Sequence, residues 1–146
     1  MVSELKLPAL NENAEEAVDY VSQMLTELNA PTSAKIALIT AVEEIFLNIA
    51  SYAYPDGTGD ARIVMDTGDD GCSVTLTFID SGIAFDPLAK DDPDLTIALK
   101  DRPIGGLGIL LVKKTMDETH YSRVEDENIF TIKKAWENPR LKETET

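Results

Sequence analysis

Apolar positions along this chain recur with two different periods, and the change of period separates helices from strands. Between about residues 11 and 53 they recur three and four positions apart, which is the spacing of one face of an α-helix. The pattern predicts helices over about 11–28 and 32–53, the second with Thr32 or Ser33 as its N-cap. Proline and asparagine between the two stretches predict a break.

Several shorter stretches of the chain have a period of two, which is typical of half-buried strands. The predicted strands are 3–7 at a sheet edge, 61–67 and 72–80 joined by 68–71, and 120–125 and 129–136 joined by 126–128. A further helix follows the glycines at 105–108. Because helices and strands come in groups, we expect an α+β fold, a two-layer sandwich with helices on one face of a mixed, mostly antiparallel sheet. We expect a single domain over 1–136 and a polar tail over 137–146.

Composition narrows the function classes. The chain has 146 residues, 43% of them hydrophobic and 27% charged, with a formal net charge of −14. Such acidity argues against non-specific binding to nucleic acid or anionic lipid and favours a basic protein partner, although it also serves solubility. Cys72 is the single cysteine, so an intrachain disulfide is excluded. The sequence offers neither a signal peptide nor a membrane span, and we expect a cytoplasmic protein.

A carboxylate and an amide lie one helical turn apart in the second predicted helix. At about 100° per residue, Glu44 and Asn48 share an arc beside the apolar face, whereas Glu43 points to solvent. Such a pair often marks only the border between core and solvent. It also suits phosphoryl transfer, because Glu44 can accept a hydroxyl proton and the amide oxygen of Asn48 can bind Mg²⁺.

A second signal ends the strand predicted over 72–80. Asp80 has the parity of the apolar residues of that strand, so a carboxylate ends a core-facing row, where burial without a partner is costly. An ionised carboxylate only accepts hydrogen bonds, which suits the exocyclic amine of adenine. Gly82 would let the backbone approach the adenine ring closely. The plainer alternative is an Asp-Ser-Gly turn that merely ends a strand.

A third signal is the glycine-rich turn before the third predicted helix. Gly105, Gly106 and Gly108 would expose backbone N–H groups at a helix N-terminus, which is a suitable site for anions. A flexible loop that closes onto a helix explains the glycines equally well. Residues 83–104 before them are rich in Asp and Pro, and a connection of this length is more often a functional lid than a passive link.

Together, the three signals resemble the N box and the two glycine boxes of the Bergerat-fold (GHKL) ATPases. The resemblance rests on Ala41-Val-Glu-Glu-Ile-Phe-Leu-Asn48, Asp80-Ser-Gly82 and Arg102-Pro-Ile-Gly-Gly-Leu-Gly-Ile109, with Met116-Asp117 at the helix end. It extends over roughly residues 10 to 135. Within the superfamily, the chain is most similar to the stand-alone serine kinases that act as anti-sigma factors. The resemblance therefore implies the Bergerat ATP-binding fold.

The resemblance also implies a role for each matching residue. Glu44 would be the general base toward a substrate serine, and Asn48 would be the Mg²⁺ ligand. Asp80 would recognise the adenine of ATP, with Gly82 beneath the ring. The remaining implied positions are Gly105, Gly106, Leu107 and Gly108 around the phosphates, residues 83–104 as the ATP lid, and Thr131 near the adenine.

The residue that would serve the γ-phosphate departs from the family pattern. Related kinases often have a basic residue immediately before the glycines, whereas this chain has Ile104 there and Arg102 two positions further back. We expect Arg102 to reach the phosphate if the lid folds over, with Lys100 as a second candidate. Tyr52 and Ala53 stand where many relatives have a His-Gly pair.

The implied function is an ATP-dependent serine protein kinase and anti-sigma factor. It would phosphorylate a serine of a STAS-type anti-anti-sigma protein, bind a sigma factor and act as a homodimer. One alternative is a nucleotide-gated binding switch, in which ATP or ADP sets the affinity for a partner and no phosphate is transferred. Another is a scaffold that no longer binds nucleotide.

Overall fold

The computed structural model describes residues 1–89 and 107–137, which form an α+β fold. In chain order, the main elements are β1 (Val2–Pro8), α1 (Ala14–Glu27), α2 (Thr32–Tyr52), β2 (Asp60–Thr67), β3 (Ser73–Asp80), α3 (Leu107–Thr115), β4 (Glu118–Val124) and β5 (Glu127–Ala135). Short 3-10 turns lie at Asn11–Asn13 and Pro87–Ala89. The predicted fold class is confirmed, and so is each predicted helix and strand, within a few residues at its ends.

The sheet has the strand order β1-β2-β3-β5-β4, so β1 lies at the predicted edge. Each pair of neighbouring strands is antiparallel. An antiparallel sheet follows from the connections, because β2–β3 and β4–β5 are hairpins and the α1–α2 pair between β1 and β2 returns the chain to its starting end. The mixed pairing allowed by the sequence is not found among the described strands.

The helices bury the apolar stripes that their periodicity predicts. In α1 the buried residues are Ala17, Val21 and Leu25, spaced one turn apart. This helix ends in a Schellman motif, because Asn29 has a φ of 56° and the N–H groups of Asn29 and Ala30 donate to the carbonyls of Thr26 and Leu25. This turn therefore determines the direction in which the chain enters α2.

The predicted cap of α2 is wrong. Helix α2 begins directly after Pro31, which occupies the N-cap position and makes no side-chain capping hydrogen bond. Thr32 and Ser33 are instead the first helical residues. An extended proline fixes the chain direction just before the helix, so a hydroxyl cap is not needed to start it.

One face of the sheet packs under the helices and the other is half-exposed. Along β3 the helix-facing residues are Val74, Leu76, Phe78 and Asp80, and all four are buried. Their neighbours in sequence are only partly buried. Asp80 thus ends a core-facing row, as the alternation predicts.

The turn between β4 and β5 differs from the predicted one. Glu125 and Asp126 have positive φ values of 48° and 67°, which makes them the two central residues of a tight hairpin turn. Strand β5 therefore begins at Glu127, and Asn128 lies inside the strand opposite Asp80. The sequence prediction had placed Asn128 in the turn, where it would have had no access to the core.

No helix within residues 1–89 and 107–137 is both long and apolar enough to cross a bilayer. Cys72 is a buried free thiol. The predicted tail falls almost wholly outside the described residues, and the division into one domain and a tail stays a prediction.

Candidate functional site

A pocket opens between α2 and the helix-facing side of the sheet. It contains about 410 Å³ of empty space when the open solvent at its mouth is included. Its polar lining residues are Asn48, Asp80 and Asn128. The apolar lining residues are Ile45, Ile49, Ala53, Phe78, Phe85, Pro87, Ile109 and Phe130. An apolar cleft with a few convergent polar groups suits a flat aromatic ligand that has hydrogen-bonding edges.

Asp80 is the only charged residue among the described residues that line this pocket, and it is 6% exposed. Its Oδ1 atom accepts hydrogen bonds from the backbone N–H of Gly82 at 2.9 Å and from Nδ2 of Asn128 at 2.8 Å. The Oδ2 atom accepts no hydrogen bond from a described residue. Because every fully buried side-chain N or O atom in the described residues has a hydrogen-bond partner, Oδ2 is accessible from the pocket. Asp80 therefore presents a free acceptor to the pocket.

Asn128 was missed by the sequence prediction, and it makes four hydrogen bonds at the pocket. Besides Asp80, its Nδ2 donates to the carbonyl of Ile83 at 2.7 Å. Its Oδ1 accepts from the hydroxyl of Tyr121 at 2.5 Å and from the N–H of Phe85 at 3.2 Å. The signal that could have found Asn128 is its parity with the buried residues Phe130 and Ile132.

Glu44 lies one helical turn before Asn48, at the side of the pocket where α3 begins. A Cβ added to Gly108 would lie 1.9 Å from Cδ of Glu44, so the carboxylate rests directly on the α-carbon of this glycine. Burial raises the pKa of the Glu44 carboxyl, and the negative charge of Glu43 raises it further. The side chain is nonetheless half-exposed, so a substrate can reach it.

Gly82 is needed for packing against the end of α2. A Cβ at this position would lie 2.3 Å from the carbonyl oxygen of Ala53, and the N–H of Ile83 donates to that same oxygen at 2.9 Å. Gly82 itself lies in a neighbouring groove, whereas Ala53 lines the pocket. The contact with Ala53 therefore explains why this position lacks a side chain, whereas the sequence had suggested close approach to the adenine ring.

Phe85 forms part of the pocket wall directly after the Asp80 turn. Its ring stacks on that of Tyr52, with centroids 5.6 Å apart and an angle of 29° between the ring planes. Tyr52 is the last residue of α2, so this contact ties the segment after β3 to the helix that carries Glu44 and Asn48. No periodicity in this segment predicts the contact from the sequence.

Thr131 is not brought to the pocket. It has the opposite parity to Phe130 and Ile132, and it lies between Thr77 and His120 on the outer face of the sheet. There it lines a separate, open groove with Thr75 and Lys133. One step along a strand reverses the face, so the pocket is lined by Asn128 and Phe130 of β5 and not by Thr131.

The structure brings together Asn48 and Asp80 in one pocket and places Glu44 and Gly108 beside it. Leu107 is the first residue of α3. The other predicted phosphate-site residues, Arg102, Gly105 and Gly106, lie outside the described residues, as do Lys100 and most of the predicted lid. Of the residues predicted to form the site, Glu44, Asn48, Asp80 and Gly108 therefore lie close together in the described structure.

Comparison with known proteins gives the family. A model of the histidine kinase-like ATPase domain matches residues 7–134 of the chain. The chain belongs to this family. The histidine kinase-like ATPase domain therefore accounts for almost all of the described structure, and family membership implies that it binds ATP.

Two individual proteins are similar to this histidine kinase-like ATPase domain. The serine/threonine-protein kinase BtrW of Bordetella bronchiseptica is 26% identical over 128 residues, which are 88% of this chain and 89% of BtrW. A structure of the RsbU and RsbW domains of Rv1364c from Mycobacterium tuberculosis matches 92% of this chain with a TM-score of 0.65 and 15% identity. This chain spans 32% of that longer chain, and the likeness supports the fold.

Proposed function

We propose that this protein is an ATP-dependent protein serine kinase that also acts as an anti-sigma factor. The observation that carries the proposal is the position of Asp80, a buried carboxylate with one free acceptor in an apolar pocket. Asn48 lines the same pocket and Glu44 lies one turn away on the same helix. One end of the site thus suits adenine, and the other has the groups needed for phosphoryl transfer.

The adenine end discriminates between purines by hydrogen-bond polarity. A carboxylate accepts hydrogen bonds, and the exocyclic amine of adenine donates them. Guanine has a carbonyl oxygen at the same position, so two acceptors would face each other without a proton between them. The apolar walls of the pocket would hold the ring, and we therefore expect ATP to be bound in preference to GTP.

At the other end, Glu44 is placed to act as a general base. It would accept the proton of a substrate serine hydroxyl as the oxygen attacks the γ-phosphate. The raised pKa of Glu44 supports this role, because a base whose pKa lies closer to neutral pH binds the proton more strongly. The side chain of Gly108 is a single hydrogen, which leaves space for the carboxylate beside α3.

Asn48 fits the role of a Mg²⁺ ligand. Its amide oxygen is a hard donor at the pocket wall, one helical turn from the proposed base. Mg²⁺ in nucleotide sites usually takes one or two protein ligands, with water and phosphate oxygens completing the octahedron. Bound there, the ion would neutralise charge on the transferring phosphoryl group. The chain itself would supply orientation through Asn48 and proton acceptance through Glu44.

The proposed partners follow from the family resemblance and from similarity to a serine/threonine kinase. The phosphate acceptor would be a serine on a STAS-type anti-anti-sigma protein, the second partner a sigma factor, and the protein would act as a homodimer in the cytoplasm. To test this, the protein is incubated with Mg²⁺, ATP labelled at the γ-phosphate and the STAS-type proteins of its source genome. We expect phosphoserine on one of them. ATP binding without labelling of any STAS-type protein would favour the nucleotide-gated switch instead.

The switch is supported by one specific feature of the chain. Ile104 occupies the position before the glycines where related kinases often have a basic residue. The nearest basic residue in the sequence, Arg102, stands two positions further back. A nucleotide could then change partner affinity without reacting. Under this reading, the affinity for a sigma factor differs between ATP and ADP, and phosphoserine is absent from every partner.

Replacing Gly108 by alanine tests the placement of Glu44. The added methyl group would overlap the carboxylate, which must move aside because it is the free end of a flexible side chain. We expect the fold to be retained and phosphate transfer to fall about tenfold or more, since small displacements of a catalytic group are costly. The measurement is the rate of phosphoserine formation. Gly57→Ala is the matched control, because nothing lies within 4 Å of a Cβ at Gly57. A wild-type rate for Gly108→Ala would contradict the proposed position of the base.

The acid side of the pH–rate profile should depend on Glu43. A general base must be deprotonated, so phosphorylation is lost as pH falls through the pKa of Glu44, and a raised pKa moves this loss to higher pH. Glu43→Gln removes a negative charge that raises the pKa of Glu44. We therefore expect the acid limb of the profile to shift to lower pH in this variant. Rates measured across about pH 4 to 8 test this, and superimposable profiles would show that another group controls the acid limb.

A further inference from the structure

The hydrogen bonds of Asn128 fix the orientation of its amide. Two acceptors, Oδ1 of Asp80 and the carbonyl oxygen of Ile83, face Nδ2. Two donors, the hydroxyl of Tyr121 and the N–H of Phe85, face Oδ1. Exchanging the oxygen and nitrogen would set acceptor against acceptor at Asp80 and Ile83 and donor against donor at Phe85. The Tyr121 hydroxyl can also accept, so these three contacts are the ones that select the orientation.

Asn128 is also inaccessible to a ligand except through the pocket. It is 4% exposed and lies directly opposite Asp80 in the β3–β5 pairing. Three structural units meet at its side chain: strand β4 through Tyr121, the segment after β3 through Ile83 and Phe85, and Asp80 itself. The amide therefore ties the carboxylate to two neighbouring parts of the pocket wall.

The effect on Asp80 is to leave one defined acceptor. Oδ1 is occupied by the N–H groups of Asn128 and Gly82, and the backbone donor lies only two residues from Asp80. Rotation of the carboxylate would break both hydrogen bonds at once. Oδ2 is then the oxygen available to a ligand in the pocket, and its direction is set by the pair of donors on the other oxygen.

We propose that Asn128 is a positioning residue for adenine recognition, which holds the Asp80 carboxylate so that its Oδ2 meets the exocyclic amine of the base. This inference rests on the proposed nucleotide binding. It assigns to Asn128 the part of the adenine preference that depends on the amine. It assigns none of the binding that comes from stacking on the apolar walls or from the phosphates.

A matched pair of variants separates positioning from packing. Asn128→Thr and Asn128→Val have nearly the same shape, and both suit a strand. The threonine hydroxyl can still donate to Oδ1 of Asp80, whereas valine cannot. Each variant is titrated calorimetrically, in the presence of Mg²⁺, with ATP and with purine riboside triphosphate, which lacks the exocyclic amine. The quantity compared is the ratio of the two affinities.

We expect the wild-type protein to bind ATP about tenfold or more tightly than the purine analogue, because a hydrogen bond to a charged acceptor is lost. Asn128→Val should reduce this ratio to near one by weakening ATP alone, and Asn128→Thr should retain most of it. Equal weakening of both ligands in the valine variant would show a purely structural role and overturn the inference. So would an unchanged ratio.

Two further variants keep the test decisive. If Asn128→Val does not give a cooperative thermal unfolding transition, Tyr121→Phe replaces it, because it removes a hydrogen bond from the far side of the amide without touching Asp80. We expect a smaller reduction of the same ratio, and an unchanged ratio overturns the inference. Thr75→Ala, on the outer face of the sheet, should leave the ratio as in the wild type. Failure of the wild-type protein to bind either nucleotide would contradict the proposed function itself, which is a distinct outcome.

Discussion

Glu44→Ala is expected to abolish phosphoserine formation on the partner protein while leaving ATP affinity within a few fold of the wild type. Loss of a general base typically slows a reaction by about 10² to 10⁴-fold. Glu44 does not line the pocket that contains Asp80, so its removal should have little effect on binding of the adenine. The two measurements are the initial rate of label transfer from ATP to serine and the calorimetric affinity for ATP.

Two controls make the Glu44 result specific. Glu44→Gln keeps the size of the side chain but cannot accept the proton, so it should be as inactive as the alanine variant. Glu43→Ala removes the adjacent, exposed carboxylate, and this variant should remain active at alkaline pH, where Glu44 is ionised. A wild-type rate for Glu44→Ala would show that the base is a different group.

Asp80→Asn is expected to weaken ATP binding about ten- to a hundredfold and to reverse the preference between ATP and GTP. The two donors at Oδ1 require an acceptor, so the amide oxygen takes that place and the new NH₂ group points into the pocket. An NH₂ group facing the amine of adenine loses a charge-assisted hydrogen bond and adds a donor–donor contact. The same NH₂ group can donate to the carbonyl oxygen of guanine.

The measurement is the affinity of the Asp80→Asn variant for both nucleotides. Because Asp80 is buried beside Asn128, the thermal unfolding temperature of the variant without nucleotide is measured in parallel, so that loss of folding is separated from loss of recognition. Equal weakening of ATP and GTP in a folded variant would show that Asp80 supports the pocket without reading the base.

The periodic parts of the sequence predicted the fold well because their signal is the burial pattern itself. Ala17, Val21 and Leu25 are buried at helical spacing, and the residues of β3 alternate down to Asp80. The same alternation correctly predicted that the Asp80 carboxylate faces the core. A buried carboxylate needs a hydrogen-bond partner, and the alternation does not show which residue supplies it.

The partner was missed because one hairpin turn was placed wrongly. The polar run Asp126-Glu127-Asn128 is typical of a turn, yet the tight turn uses Glu125 and Asp126, which are uncommon at positive φ. Strand β5 therefore starts earlier, and Asn128 pairs with Asp80. Thr131, which the family resemblance implies near the adenine, has the parity opposite to that of the buried Phe130 and lies on the outer face.

Two other contacts depend on tertiary approach and leave no trace in local sequence. Gly82 is required by the carbonyl of Ala53, which reaches it from the end of α2. Phe85 reaches the pocket wall through its stacking on Tyr52. The composition of the turn predicts that glycine is tolerated at position 82. Only the packed structure shows that a larger residue would overlap the backbone of Ala53.

An adenine-specific nucleotide site built on Asp80 is tested most directly by a thermal-shift titration of the wild-type protein with ATP and with GTP in the presence of Mg²⁺. A ligand that binds only the folded state raises the unfolding temperature, and the rise grows with the ratio of the ligand concentration to the dissociation constant. We expect a concentration-dependent rise with ATP and a much smaller one with GTP, and the Asp80→Asn variant should reverse this preference. Equal shifts with both nucleotides, or no shift with either, would contradict it.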